Sequence, residues 1–259
     1  MTIHPGAWIG WATCAGIVAF TTTDPFYLAL LVAVAWFVYA MCHVEGPTGR
    51  SFRTFLIAGV VAMLLRTALV LFGNAGDIAY AALEGARLAA LLIVFGTFNA
   101  VSDPTGVVRL APRRFHEPAL AAALALSIAP RTMATAARVR EAQQLRGIRV
   151  ARWRGWPALA APVLESGMED AVMLAESMDA RGHGRGRRTR YRPARWTAAS
   201  IATLVAASAA AVAFVVAAWS GRGGLDPSTS PFGWPAADPA LLAALIALAT
   251  PGVLAARSR

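Results

Sequence analysis

Apolar runs separated by short polar or Gly- and Pro-containing segments organise most of this chain. The runs at 54 to 72, 196 to 219 and 239 to 256 each approach the roughly 20 residues that a helix needs to cross the hydrocarbon layer of a membrane. Residues 26 to 42 (FYLALLVAVAWFVYAMC) reach the short limit of that range. The runs at 6 to 23 and 86 to 101 carry Thr, Gly and Asn among their apolar residues and complete a count of six predicted crossings. Between the fourth and fifth runs the pattern changes. EPALAAALALSIAP, residues 117 to 130, is an apolar stretch too short to span. It is expected along the membrane face or under the bundle.

After Pro130 the periodicity becomes that of amphipathic helices. RTMATAARVREAQQLRG sets Met133, Ala136, Ala137 and Ala142 on a small or apolar face with charges elsewhere, and Gly147 ends it. The following GIRVARWRGWPALAAP is interrupted by Gly155, Pro157 and Pro162 and reads as a connector. A second helix then spaces Leu164, Met168, Ala171, Ala175 and Met178 by four, three, four and three, which predicts a packing stripe. The two helices, over about 131 to 146 and 162 to 181, would be about 24 Å and 30 Å long at 1.5 Å per residue. Three regions follow: 1 to 101, 102 to 195 and 196 to 259.

Both helices close on Arg-Gly, as Leu145-Arg146-Gly147 and as Ala180-Arg181-Gly182. Local physics explains either end taken alone. Glycine readily takes the left-handed conformation just past a helix, and a cation near the last turn is favoured by the helix dipole. Two long amphipathic helices ending alike within one insertion also read as two copies of one docking device. Arginine suits that role, because its planar fork of donors engages carboxylates and carbonyls in a partner's groove.

Composition fits a polytopic membrane protein: 57% of the 259 residues are hydrophobic, 15% are charged, and the mean hydropathy is +0.54. Met1 to Pro5 offers neither a basic region nor a small-residue cleavage site, so no removable signal peptide is predicted. All twenty-four basic residues are arginine. Without lysine the chain builds neither a GxxxxGK[ST] phosphate loop nor a Schiff base, so any ATP hydrolysis belongs to another chain. Residues 102 to 195 hold seventeen arginines against eight Asp or Glu, an excess of nine positive charges out of a net +10. Basic residues near short loops stay cytoplasmic, which places this segment, residues 43 to 53 and both termini inside, with TTTD, GNAGD and GRGGLDPSTSPFGWPAAD outside. Anchoring to acidic headgroups accounts for RRFHEP and RGRRTRYRPARW. No nucleic-acid motif accompanies the arginines.

Other candidates carry less. Arg66 lies inside the third span, where an ionisable group marks either a bundle-facing pair or a transport role. Glu84 and Arg87, three apart, can pair on one helix face. Cys14 and Cys42 read as packing residues, and His4, His43, His116 and His183 have no metal-ligand spacing. Ala202, Ala206 and Ala210 form a small-residue stripe that an alanine-rich chain produces by chance. Trp8, Trp196, Trp219 and Trp234 are expected at the membrane interface. Two rivals remain open. A membrane enzyme acting on lipid-linked substrates needs clustered acids, of which Glu169, Asp170, Glu176 and Asp179 come closest. A permease working alone needs broken helices or ionisable residues paired at mid-membrane.

On IAPRTMATAARVREAQQLRG and MEDAVMLAESMDARGHGRGRRTRY, with weaker echoes in TDP at 23 to 25, Arg87 and SDP at 102 to 104, the chain resembles the transmembrane T component of energy-coupling factor (ECF) transporters, the EcfT/CbiQ family. That family's two coupling helices each close on Ala-Arg-Gly. Here the second motif matches and the first carries Leu145 in place of Ala. The resemblance implies an all-α polytopic membrane protein of about six transmembrane helices, with a cytoplasmic insertion of long crossed coupling helices, in a bacterial plasma membrane. It further implies a non-catalytic scaffold without cofactor or metal. In that scaffold Arg146 and Arg181 dock into two cytoplasmic ATPase subunits, and the membrane part holds a separate substrate-binding S component that selects a vitamin or a cobalt or nickel ion.

Overall fold

A computed structural model describes residues 3–22, 24–42, 47–72, 78–147, 156–183, 195–221 and 238–257. Among these residues every regular element is helical. The helices are α1 (Pro5–Thr21), α2 (Pro25–Cys42), α3 (Pro47–Phe72), α4 (Ile78–Val101), α5 (Pro104–Val108), α6 (His116–Leu145), α7 (Trp156–Ala180), α8 (Ala198–Trp219), α9 (Pro239–Ala247) and α10 (Thr250–Arg257). Five are long and apolar enough to cross a membrane, and the bent pair α9 and α10 makes six. Such a chain is a multi-pass membrane protein by length and composition. Helices occupy all six places where the apolar runs stand. One of the five long helices, however, is α6, while the 17-residue α1 is shorter than all of them.

The chain forms two compact units, one of residues 1–110 with 194–259 and the other of residues 111–193. In the first, three helices begin on an Asp-Pro pair, and the local chemistry explains why. The carboxylate accepts the orphan N–H two residues on, and proline fills the first helical position, where its missing N–H costs nothing. Asp24 accepts from Phe26 N at 2.8 Å, Asp103 from Thr105 N at 3.0 Å and Asp238 from Ala240 N at 3.0 Å. Residue His4 does the same for α1 through Nδ1 and Gly6 N at 3.1 Å. TDP and SDP thus have a structural role as helix starts.

Polar side chains of this unit then cross from helix to helix. The His4 amide donates to Ser200 Oγ at 2.8 Å and its ring stacks on Trp196, which ties the start of α1 to the start of α8. The two helices run side by side in the same direction, with Gly10 against Leu204. Tyr27, fully buried, accepts from the Asp238 amide at 3.0 Å and ties the start of α2 to that of α9. Thr97 Oγ1 lies 3.3 Å from Ala35 O between α4 and α2. The small residues that let α8 approach its neighbours are Ala199, Thr203, Ala207 and Ala210, all buried, whereas Ala202 is exposed. Helix α3 packs antiparallel on α4, with Gly59 against Ala89 and Gly85 against Met63, and its buried Phe52 stacks on Tyr39 and meets the edge of Trp36 on α2.

The α9–α10 pair bends by 49°. Pro251 has no N–H to give to Ala247 O four residues back, and the Thr250 hydroxyl donates there instead. The next freed carbonyl, Leu248 O, accepts from the buried Trp11 Nε1 at 2.9 Å. The break is therefore closed on α1 rather than open to a ligand. Trp8 also packs in this core instead of lying at an interface, while Trp196 and Trp219 are exposed. Trp234 and His43 lie outside the described residues.

Three expectations about the second unit need correction. Helix α6 starts at His116, not after Pro130, and at 30 residues runs about 45 Å. Pro130 lies inside it, on the exposed side with Leu126, whose carbonyl it leaves without an amide partner. Helix α7 starts at Trp156, with Pro157 in its first turn and Pro162 inside, so the stretch read as a connector is partly helix. The stripe expected to pack is also largely outside. Leu164 is 65% and Met168 70% exposed, Ala171 and Ala175 are exposed, and only Met178 is half covered. The covered line of α7 is shifted, through Val163, Ser166, Leu174 and Met178. Which face is covered depends on how α6 and α7 cross, and spacing alone does not set that crossing.

Trp11→Phe keeps an aromatic six-membered ring, deletes the pyrrole part with its N–H, and leaves Leu248 O without its donor. Thermal unfolding in detergent should show a loss of about 1–3 kcal/mol, while Trp36→Phe, at a half-exposed ring, should be near neutral. Equal losses would remove the hydrogen bond as the cause.

Candidate functional site

The tips of α6 and α7 are built from backbone handedness. At α7, Gly182 has φ +76, its N–H donates to Asp179 O at 2.8 Å, and His183 N–H donates to Met178 O at 2.9 Å. These are the paired 5→2 and 6→1 bonds of a Schellman stop. At α6, Gly147 has φ +79 and donates to Gln144 O at 3.0 Å, which is the first of the same two bonds. A Cβ at either glycine would meet nothing within 4 Å. The glycines are thus required by conformation alone.

Each stop holds its arginine in the same place, immediately before the left-handed residue. The Arg146 amide donates to Ala142 O and the Arg181 amide to Ser177 O, both at 3.2 Å. Both arginines are exposed, as are Leu145 and Ala180, with Leu145 at 86%. Among the described residues neither guanidinium has an acceptor. Each cation lies where the negative end of the helix dipole favours it, and its five donors face outward. The geometry presents two equivalent cationic forks on rigid helix ends. No hydrogen bond or ion pair among the described residues joins the two ends.

The other candidates sort differently. Arg66 Nε donates to Glu84 Oε2 at 3.1 Å and a second guanidinium nitrogen also bonds that oxygen, forming an ion pair between α3 and α4. The same-face pairing of Glu84 with Arg87 does not form. Arg87 instead donates through Nε to Ala19 O at 3.0 Å and lies over the Phe20 ring at 4.8 Å. A backbone acceptor has no side-chain signature, so sequence could not single out this contact. The start of α1 on His4 was more accessible, since a capping side chain precedes Pro5 there. Glu169, Asp170, Glu176 and Asp179 are exposed on α7. Among the described residues no group of three His, Cys, Asp or Glu could hold a metal ion. Cys14 and Cys42 are unbridged and pack beside the core.

No family model matches the chain, and no curated protein matches it in sequence.

Two measurements test this geometry. Gly182→Ala should cost about 1 kcal/mol at the stop without any clash, seen as roughly fivefold faster hydrogen exchange at the amides of residues 182 and 183 and unchanged exchange in α1. For the ion pair, Arg66→Leu and Glu84→Leu should each destabilise more than the double variant, since either alone strands a charge. Additive losses would mean that the two side chains do not interact.

Proposed function

We propose that the chain is the transmembrane coupling subunit of an ECF-type importer, related to the EcfT/CbiQ family. It transmits movement from two cytoplasmic ATPase subunits to a membrane-embedded S component that carries a vitamin or a cobalt or nickel ion. The observation that carries this reading is the pair of like helix ends. Leu145-Arg146-Gly147 and Ala180-Arg181-Gly182 stop two long helices with glycine in the same conformation and leave an arginine outward at each.

The mechanism is mechanical. An arginine in a pocket on each ATPase converts approach of the two ATPases into displacement of α6 and α7. A helix hydrogen-bonded through its last turn passes that displacement on instead of fraying. The segment rich in arginine then lies on the cytoplasmic side, in accord with the charge pattern. The absence of lysine supports partner-supplied ATP hydrolysis.

A permease working alone draws on the bent α9–α10 pair and on Arg66–Glu84. These features lie apart, the ion pair between α3 and α4 and the bend on helices that pack with α2 and α8. The carbonyls freed at the bend are already occupied by Thr250 and Trp11. The coupling reading uses more of the chain.

The deciding experiment expresses the tagged chain with its native companions and compares it with Arg146→Ala plus Arg181→Ala. Expected is recovery of two ATPases with the unaltered chain, and loss of both the ATPases and substrate uptake in the double variant, which stays folded and inserted. Undiminished co-purification together with undiminished uptake would overturn the proposal.

A further inference from the structure

An apolar groove of about 410 Å³ runs along the outer face of α1 and against α4. Ile9, Thr13, Ile17 and Phe20 form one wall, each part of the same helix face, and Leu91 and Phe95 form the other. Its threonines leave the wall apolar, because Thr13 Oγ1 donates to Ile9 O at 2.8 Å and Thr21 Oγ1 to Val18 O at 3.0 Å within their own helix. From Ile9 to Phe20 the helix rises about 17 Å. The groove is therefore long, runs with the helices and offers no polar group to a ligand along its length.

One end is different. Helix α1 stops at Thr21 whereas α4 is seven residues longer, 24 against 17, and places Arg87 over that stop. Arg87 is held by its Nε on Ala19 O and by its face on Phe20, the residue that also lines the groove. Its two terminal nitrogens, Nη1 and Nη2, have no acceptor among the described residues. A fixed guanidinium with two free donors is the arrangement that binds a phosphate bidentately. An apolar channel running from it along the helix axis is shaped for hydrocarbon. The Arg87 site lies within a turn of the end of α1.

We infer that this groove holds one glycerophospholipid, with an acyl chain along α1 and the phosphate on Nη1 and Nη2 of Arg87. The juxtaposition of a held cation with an apolar channel selects this occupant over the transmembrane helix of a partner, which would fill the channel but leave the guanidinium without an anion.

The test uses the full chain in detergent, freed of lipid and titrated with phosphatidylglycerol or with diacylglycerol bearing the same chains, the adducts being counted by native mass spectrometry. The unaltered chain should take up one phosphatidylglycerol at least tenfold more tightly than diacylglycerol, and inorganic phosphate should not displace it. Arg87→Gln should abolish that preference and keep the weaker diacylglycerol adduct. Gly16→Leu projects into the groove, where a Cβ has Leu91 no nearer than 4.0 Å, and should remove both adducts. The inference is overturned by equal binding of the two lipids, by a preference that survives Arg87→Gln, or by adducts unchanged in Gly16→Leu. If Arg87→Gln loses both lipids, Arg87→Lys decides: recovered preference upholds the inference and its absence overturns it.

Discussion

In an apolar surrounding each backbone group that a helix leaves unpaired has to find its partner inside the protein, and this requirement shapes the bundle. Helix starts are closed by Asp24, Asp103, Asp238 and His4. The carbonyls freed at the bend between α9 and α10 are closed by Thr250 and by Trp11. Polar contacts between helices follow the same rule: Thr97 reaches Ala35 O, Arg87 reaches Ala19 O, and the His4 amide reaches Ser200. Apolar packing supplies most of the contact area, but these few bonds fix which helix meets which and at what height. A lost one leaves a group in hydrocarbon with nothing to replace it.

The second unit obeys a different constraint. Its two helices bury little, and their apolar residues Leu164, Met168, Val172 and Met173 are more than half exposed. Helices of this length hold themselves through their own backbone bonds and definite ends. The left-handed glycines at positions 147 and 182 provide those ends without any tertiary contact. That independence makes the two tips alike even though the sequences of α6 and α7 differ.

The same division explains what could be read from the sequence. Helix positions follow from apolar runs about as long as a membrane is thick, and the stops at Gly147 and Gly182 follow from a local motif. Both are properties of adjacent residues. The start of α6 was not legible, because a proline within an apolar run can end a helix or be carried inside one, and the residues around Pro130 do not mark which. The covered face of α7 was not legible either, because Val163 and Leu164 are equally apolar and only the crossing of α6 with α7 chooses between them. Arg66 invited a partner, but Glu84 and a backbone carbonyl were equally open choices from sequence. Nothing in the sequence marked the carbonyls of Ala19 and Leu248 as acceptors.

The ion pair across α3 and α4 joins residues eighteen apart in the chain, on two helices that pack against each other. During synthesis α3 therefore emerges carrying a guanidinium whose counter-charge has not yet been made. An unneutralised arginine is costly in lipid, so stable residence of α3 in the bilayer has to wait for Glu84. Biogenesis of this region then proceeds by entry of a completed hairpin rather than by one span after another.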